Sequence, residues 1–339
     1  MRHLARRLGW SVFVVWAVVS ITFAVNDLLP GDPARMMAGA QASPADVARI
    51  RSRMGLDEPL AARYGRFWKK LVHLGPSVID RKTSPAHATC AVVVPLGGSS
   101  IHLDFGKSFQ RQQAVVDLVG DRLPRTAALA LAGMLVQLLV GLGTGILAAA
   151  RRGSWLDRAL VGTSLLGISA PTFLIALCLQ FVFARRLGWL PLDGFGSTLA
   201  DHARCIVLPA FTLGVYGAAY YTRLVRDEML VLLKQDWVRT ARAKGASTAR
   251  LLLAHGLRNA LVPIVTAIGL DVGALLGGAV VTETVFRWPG LGDLSVHAML
   301  DRDGPVILAC VVVTSVGIVL ANVVVDALYT RLDPRVRSS

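Results

Sequence analysis

The feature that most constrains this chain is a succession of long apolar runs. A bilayer core about 30 Å thick is crossed by roughly 20 apolar residues of helix, and about six runs meet that length. They lie near residues 8–29, 125–150, 159–184, 205–224, 261–281 and 306–328. With 54% hydrophobic and 17% charged residues among 339, the chain is more apolar than a soluble core of that length requires. The expected fold is an all-α integral membrane protein with about six transmembrane helices.

Arg2, Arg6 and Arg7 precede the first run in the manner of a signal peptide. That run is too long for a signal core and has no clear small-x-small site after it, so an uncleaved span is expected. The net charge of +14 raises nucleic acid as a partner. Its Lys and Arg cluster at the ends of apolar runs instead, without an aromatic-basic face, which excludes that class in favour of membrane topology. The N-terminal arginines, "RRGSWLDR" at Arg151–Arg158, the connector near 225–260 and the tail at 329–339 are all basic. Alternation through the spans puts these four on the cytoplasmic side with both termini. The segment 30–124 is about 90 residues long, and loops beyond roughly 60 residues cross largely regardless of charge, so it is expected outside. Residues 125–328 then form the core. Cys90, Cys178, Cys205 and Cys310 have no spacing that suggests a disulfide framework or a zinc site. No internal repeat is present.

Within the external segment, Ser43 and Pro44 can start a helix through "PADVARIRSRMGL", and "DEPLAARYGRFWKKLVHL" has an amphipathic rhythm. The following "PSVIDRKTSPAHATCAVVVPLGGSSIHL" reads as an irregular or strand-bearing insertion. In the connector, Asp236 is the expected N-cap of a short helix "WVRTARAK", with Trp237, Val238 and Ala241 on one face. Gly245 suits the left-handed residue at its end, and Ser247 can cap a second helix leading to the fifth span. Arg239, Arg242 and Lys244 lie around the projecting helix. From charge alone this is equally a solvated loop that fixes topology.

The wider text adds a resemblance. "DWVRTARAKGAS" followed by "HGLRNALVPIVT" resembles the cytoplasmic coupling loop of the permease subunits of bacterial dipeptide/oligopeptide ABC importers. "LLPGDPA", "DRLPRTAALAL", "GILAAARRGSWLDR", "RLGWLPLDG", "TETVFRWPGLG" and "DALYTRLDPRVR" are similar to that group in pattern and order. The resemblance covers nearly the whole chain. It implies binding-protein-dependent transport across the bacterial inner membrane, with two permease subunits forming the path, the second most simply a paralogue. Two cytoplasmic ATPase subunits drive it by alternating access, and an external solute-binding protein delivers the ligand. Carried over by residue, Arg239, Ala241, Lys244 and Gly245 fall on the coupling motif and Pro263 on its far end. ATP and Mg are then used by the partner subunits, and no cofactor is expected on this chain.

The chain itself shows no catalytic grouping. "FGKS" at Phe105–Ser108 lacks the first glycine of a phosphate loop, since Ile101 stands there. Asp271 departs from the uncharged residue expected at its depth in the fifth span. Such a carboxylate either lines the path and meets a ligand amine or partners a group on another helix. Gly269, Gly273, Gly277 and Gly278 suit close packing, by default against the second permease. Pro171 should bend the third span. Glu283, Arg287 and Trp288 lie beyond the outer end of the fifth span, as an external gate or binding-protein contact, or for Trp288 a membrane-interface anchor. His87, Cys90 and His102 share the external insertion without a standard ligand spacing, so metal binding is not expected. The leading expectation is a peptide permease. The alternatives are the same architecture carrying nickel chelates, glutathione or another small solute, and a membrane scaffold or sensor without transport, against which the full coupling loop counts. A self-sufficient secondary transporter is disfavoured for want of an inverted repeat.

Overall fold

The computed structural model describes residues 2–28, 33–39, 41–76, 89–96, 99–247 and 250–332. The chain divides into two compact units, one formed by Met1–Pro124 with Leu294–Val316 and the other by Arg125–Asp293 with Gly317–Ser339.

In the first unit α1 (Arg2–Leu28) is followed by the short α2 (Pro33–Ala38), α3 (Pro44–Met54) and α4 (Leu60–Leu71). Ser43 caps α3 as its sequence implies, accepting from the Asp46 N–H. The aromatic face of α4 lies on α1: Phe67 and Tyr64 stack near Phe23 at 4.9 and 5.5 Å, and the Tyr64 hydroxyl meets Ser20 Oγ at 2.7 Å. A three-stranded antiparallel sheet follows, from β1 (Val72–Pro76), β2 (Cys90–Leu96) and β3 (Ser99–Asp104), with β3 central. The insertion, expected to be irregular or strand-bearing, thus carries strands, and the helix expected through Leu74 ends at Leu71. Val72, His73 and Leu74 pair with Leu103, His102 and Ile101 instead, because the β-branched Val72 and the waiting edge of β3 favour extension over a frayed last turn.

The chain then enters α5 (Val115–Ala150). The same unit receives α12 (Leu291–Leu300) and the first half of α13 (Gly304–Leu332). Asp303, 3% exposed, accepts from Ser108 Oγ at 2.5 Å and from the Phe109 and Gln110 N–H groups.

The second unit is built around α9 (Val207–Leu232), buried along much of its length. Packed with it are α5, α6 (Trp155–Ser169), α7 (Thr172–Leu179, extended by a π turn over Gln180–Arg186) and α11 (Leu257–Val285). The short α8 (Leu199–Cys205) leads into α9, and α10 (Asp236–Ala243) lies between α9 and α11.

Among the described residues, four helices are long and apolar enough to cross a membrane: Gly9–Asp27, Val115–Ala150, Leu199–Leu232 and Gly304–Val325. The pair Trp155–Ser169 and Thr172–Arg186 counts as a fifth span if taken together. Its bend of 108° is a break rather than the kink expected at Pro171, since Ala170 turns extended before the proline, as the proline ring requires. The sixth expected span falls on α11, helical for 29 residues, of which only Pro263–Gly273 counts as an apolar helix among the described residues.

Candidate functional site

The connector between α9 and α11 is an elbow on a packed stalk. Tyr221, Val225 and Met229 of α9 bury against Leu252, Ala260, Ile264 and Ala267 of the returning segment. That segment starts as a π turn, Leu251–Gly256, before becoming α-helical. Between the two legs projects α10. Gln235 is its N-cap, its side chain accepting from the Trp237 indole N–H rather than from a backbone N–H, so Asp236 is its first helical residue rather than the cap expected. At its other end Gly245 has φ +83°, its N–H donates to Arg242 O at 2.9 Å, and the Ala246 N–H donates to Ala241 O at 3.0 Å. These paired bonds satisfy the last carbonyls of the helix and turn the chain sharply. Ser247 Oγ then accepts from the Arg250 N–H at 3.3 Å, capping the next helix as expected; Thr248 and Ala249 lie outside the described residues.

Val238 is buried, and Trp237 and Ala241 are half-buried beside it. Arg239, Arg242, Lys244 and Gly245 are exposed. The structure thus separates the residues carried over to the coupling motif: Ala241 sits against its own chain, whereas the cations and Gly245 face outward.

Close to this end Asp157, 3% exposed, binds Arg226 of α9 through both oxygens, at 2.7 and 3.0 Å. The same carboxylate accepts from the Gly153 N–H at 2.9 Å, and Ser154 caps α6 through the Asp157 N–H. This pair was missed in the sequence, although Ser154-x-x-Asp157 is a recognisable cap signature.

Asp271 lies on α11 and is half-buried. Gln137 of α5, fully buried, donates to its Oδ2 at 2.5 Å, and the hydroxyl of buried Tyr221 on α9 faces the same carboxylate. Side chains of three helices thus lie together at this half-buried acid, with Gln137 as its hydrogen-bond partner on another helix. No sequence spacing connects Gln137, Tyr221 and Asp271. Gly269 is used within the chain, since a Cβ there would come 2.5 Å from Val325 of α13, and Gly273 faces Ile318. Both glycines therefore have neighbours within the chain; the surroundings of Gly277 and Gly278 lie outside the described residues.

The "TETVFRWPGLG" segment folds around Glu283. That carboxylate is fully buried, accepts from Thr126 Oγ1 at 2.7 Å and from the Asp293 N–H at 3.0 Å. Thr126 Oγ1 in turn accepts from the Leu291 N–H at 2.7 Å. Glu283 and Thr126 together satisfy the first turn of α12. Trp288, 1% exposed, donates its indole N–H to Arg125 O at 3.0 Å and packs on Phe195. The Gly194 N–H donates to Phe286 O at 2.8 Å. Three of the sequence blocks, around Arg125, Gly194 and Trp288, are therefore one junction. Burial corrects the surface role expected of Glu283 and Trp288: both support the turn from inside. Arg287 alone of the three is exposed, 3.6 Å from Asp193.

In the first unit a cavity of about 820 Å³ is lined by Phe23, Asp27, Lys70, Asp104 and Arg302, among others. On the sheet, Cys90 and His102 lie close together, joined by His73, while His87 lies outside the described residues. Burial, with the Asp104 carboxylate adding to it, pushes the Cys90 thiol up to about 11. By itself it is a neutral thiol at physiological pH and a poor nucleophile.

Residues 141–338 match the family described as "Binding-protein-dependent transport system inner membrane component", and residues 1–130 match its N-terminal companion. A Brucella abortus protein provisionally named as a peptide transport system permease is 37% identical over 337 residues, covering 98% of both chains. The glutathione transport system permease protein GsiC of Escherichia coli is 36% identical over 337 residues, covering 99% of both. Among solved structures, the MetNI methionine ABC transporter in an inward-facing conformation shares the fold with a TM-score of 0.55 at 19% identity. The match covers 64% of this chain and 97% of that one.

Proposed function

The chain belongs to the family of binding-protein-dependent transport system inner membrane components, and from that premise we propose that it is one permease half of an importer for di- or oligopeptides. The observation that carries this reading is the elbow: an exposed cationic helix end, closed by Gly245, on a stalk packed into the bundle. An ATPase subunit moves as a rigid body and reaches a membrane path through an element that docks on it and is stiffly joined to the helices. In this reading α10 docks there, with Arg239, Arg242, Lys244 and Gly245 at the contact. The basic loops and both termini lie in the cytoplasm. The second permease is a paralogue, two ATPase subunits hold ATP and Mg, and an external binding protein delivers the ligand on the opposite face, where Arg287 is exposed. ATP and the loaded binding protein each favour one of two states, which is what alternating access requires energetically.

Peptide cargo rests on the name of the Brucella relative. The glutathione name of the Escherichia coli relative supports a second reading, in which the ligand is a small peptide-like thiol. The complete assembly in proteoliposomes, with its ATPases and binding protein, tests both. Uptake of labelled dipeptide that unlabelled glutathione does not suppress supports peptide cargo. Uptake of labelled glutathione with no peptide competition moves the assignment to the second reading, and ATP hydrolysis that responds to neither ligand overturns both.

A further inference from the structure

The three-stranded sheet carries a cluster that transport does not use. His73 on β1 pairs directly with His102 on β3, and Cys90 on β2 lies two residues from Val92, the β2 partner of His102. With a side-chain period of two, all three residues share one face, one from each strand. His73 Nε2 is 3.6 Å from Cys90 Sγ, and the donor atoms of the three residues all lie within 4.8 Å of one another. Cys90 and His102 are buried and His73 half-buried.

The second nitrogen of each ring fixes which atom faces the cluster. His73 Nδ1 donates to Lys70 O at 3.0 Å, leaving Nε2 as the lone-pair atom. His102 Nε2 lies 2.7 Å from Ser100 Oγ and 3.0 Å from Pro76 O. Ser100 Oγ gives its own proton to Pro76 O at 2.8 Å, so His102 Nε2 carries the ring proton and Nδ1 has the lone pair. Backbone carbonyls behind both rings are the arrangement that orients metal-ligating histidines. Gly75 makes room for it, since a Cβ there would come 2.5 Å from the His102 ring.

We propose that His73 Nε2, Cys90 Sγ and His102 Nδ1 form a zinc site that staples the three strands together. Two imidazoles and one thiolate suit a borderline-soft d10 cation, with a fourth position left for water. Zn–S of about 2.3 Å and Zn–N of about 2.0–2.1 Å at a tetrahedral angle put sulfur and nitrogen about 3.6 Å apart, the separation found for Cys90 and His73. The donor atoms all lie within 4.8 Å of one another, so the widest separation reaches tetrahedral ligand spacing by a side-chain adjustment of about 1–1.5 Å. Binding replaces the Cys90 thiol proton by the metal, and the proton leaves to solvent. The strands have five, seven and six residues, and a metal bound by one residue of each would tie all three together. Asp104 and Lys70, both near Cys90, offset each other's charge. The site was not expected because its third ligand is His73, which the sequence placed in a helix; only strand pairing brings it opposite His102.

The full-length chain, purified in detergent through a tag without histidines, is loaded with Zn2+, dialysed, and its metal counted by mass spectrometry. About one zinc per chain is expected, with none above background in His73→Ala or Cys90→Ser and no change in Cys178→Ser. Wild type stripped by chelator and refilled with Co2+ should show a thiolate-to-cobalt charge-transfer band, a readout that does not depend on any variant folding. No zinc in wild type, equal zinc in Cys90→Ser, or no charge-transfer band overturns the proposal. Retention of copper with exclusion of zinc overturns the choice of metal.

Discussion

Gly245 shows how one residue sets the end of an element. Its φ of +83° belongs to the left-handed region, and a Cβ there meets nothing within 4 Å. Substitution is therefore opposed by backbone strain rather than by crowding, at about 1–2 kcal/mol for an ordinary residue. Gly245→Val should lower coupled uptake about fivefold or more while the complex still assembles, and Gly245→Asn, which tolerates this conformation, should cost less. Uptake and ATPase activity measured on the same proteoliposomes check this; equal loss in both variants would place the effect elsewhere. Asp271 offers a second comparison at this scale. Asp271→Asn keeps an acceptor for Gln137 and should preserve assembly and uptake to within about twofold, whereas Asp271→Leu leaves the buried Gln137 amide unmet, at about 1–3 kcal/mol. Loss of amine-bearing ligands alone in Asp271→Asn would put the carboxylate in the path after all.

Elements are joined here by buried acids. Asp157 ties the start of α6 to α9 through the part-buried Arg226, and removing it leaves that guanidinium only the exposed Asp227, 3.1 Å away, a loss of about 1–3 kcal/mol. Asp157→Ala should thus lower the thermal midpoint in detergent more than the double variant Asp157→Leu with Arg226→Met, in which no charge is left behind. At the other junction, Glu283→Gln turns an amide N–H2 toward backbone N–H donors that the carboxylate satisfies. A loss of about 1–3 kcal/mol is expected, with fraying of α12 visible as faster amide exchange at Leu291 and Asp293. Thr126→Val should produce the same exchange pattern, since its hydroxyl meets Glu283 and the Leu291 N–H at once.

At the scale of the whole molecule the testable property is sidedness. Lys244→Cys, at the tip of the elbow, should react with an impermeant maleimide only when the cytoplasmic face is open, and Arg49→Cys on α3 only from the other side. A Cys178→Ser background removes the exposed thiol among the four and keeps the buried Cys90. Labelling of both positions from one side would reverse or dismantle the orientation on which the docking of α10 depends.

What the sequence by itself determined is what local chemistry and solvent enforce. Apolar runs of spanning length, the caps at Ser43 and Ser247 and the turn at Gly245 are each set by a few neighbouring residues, and the bilayer leaves little choice but helix. The resemblance across many blocks then located the elbow. Only the tertiary structure decided which polar residues meet. Glu283 joins Thr126, Asp271 joins Gln137 and Tyr221, and Asp157 joins Arg226 over separations of 157, 134 and 69 residues for the hydrogen-bonded pairs. His73 reaches His102 only because a predicted last helical turn became a strand. A buried polar group must find a partner wherever the fold supplies one, and a one-dimensional text records the need without naming the partner.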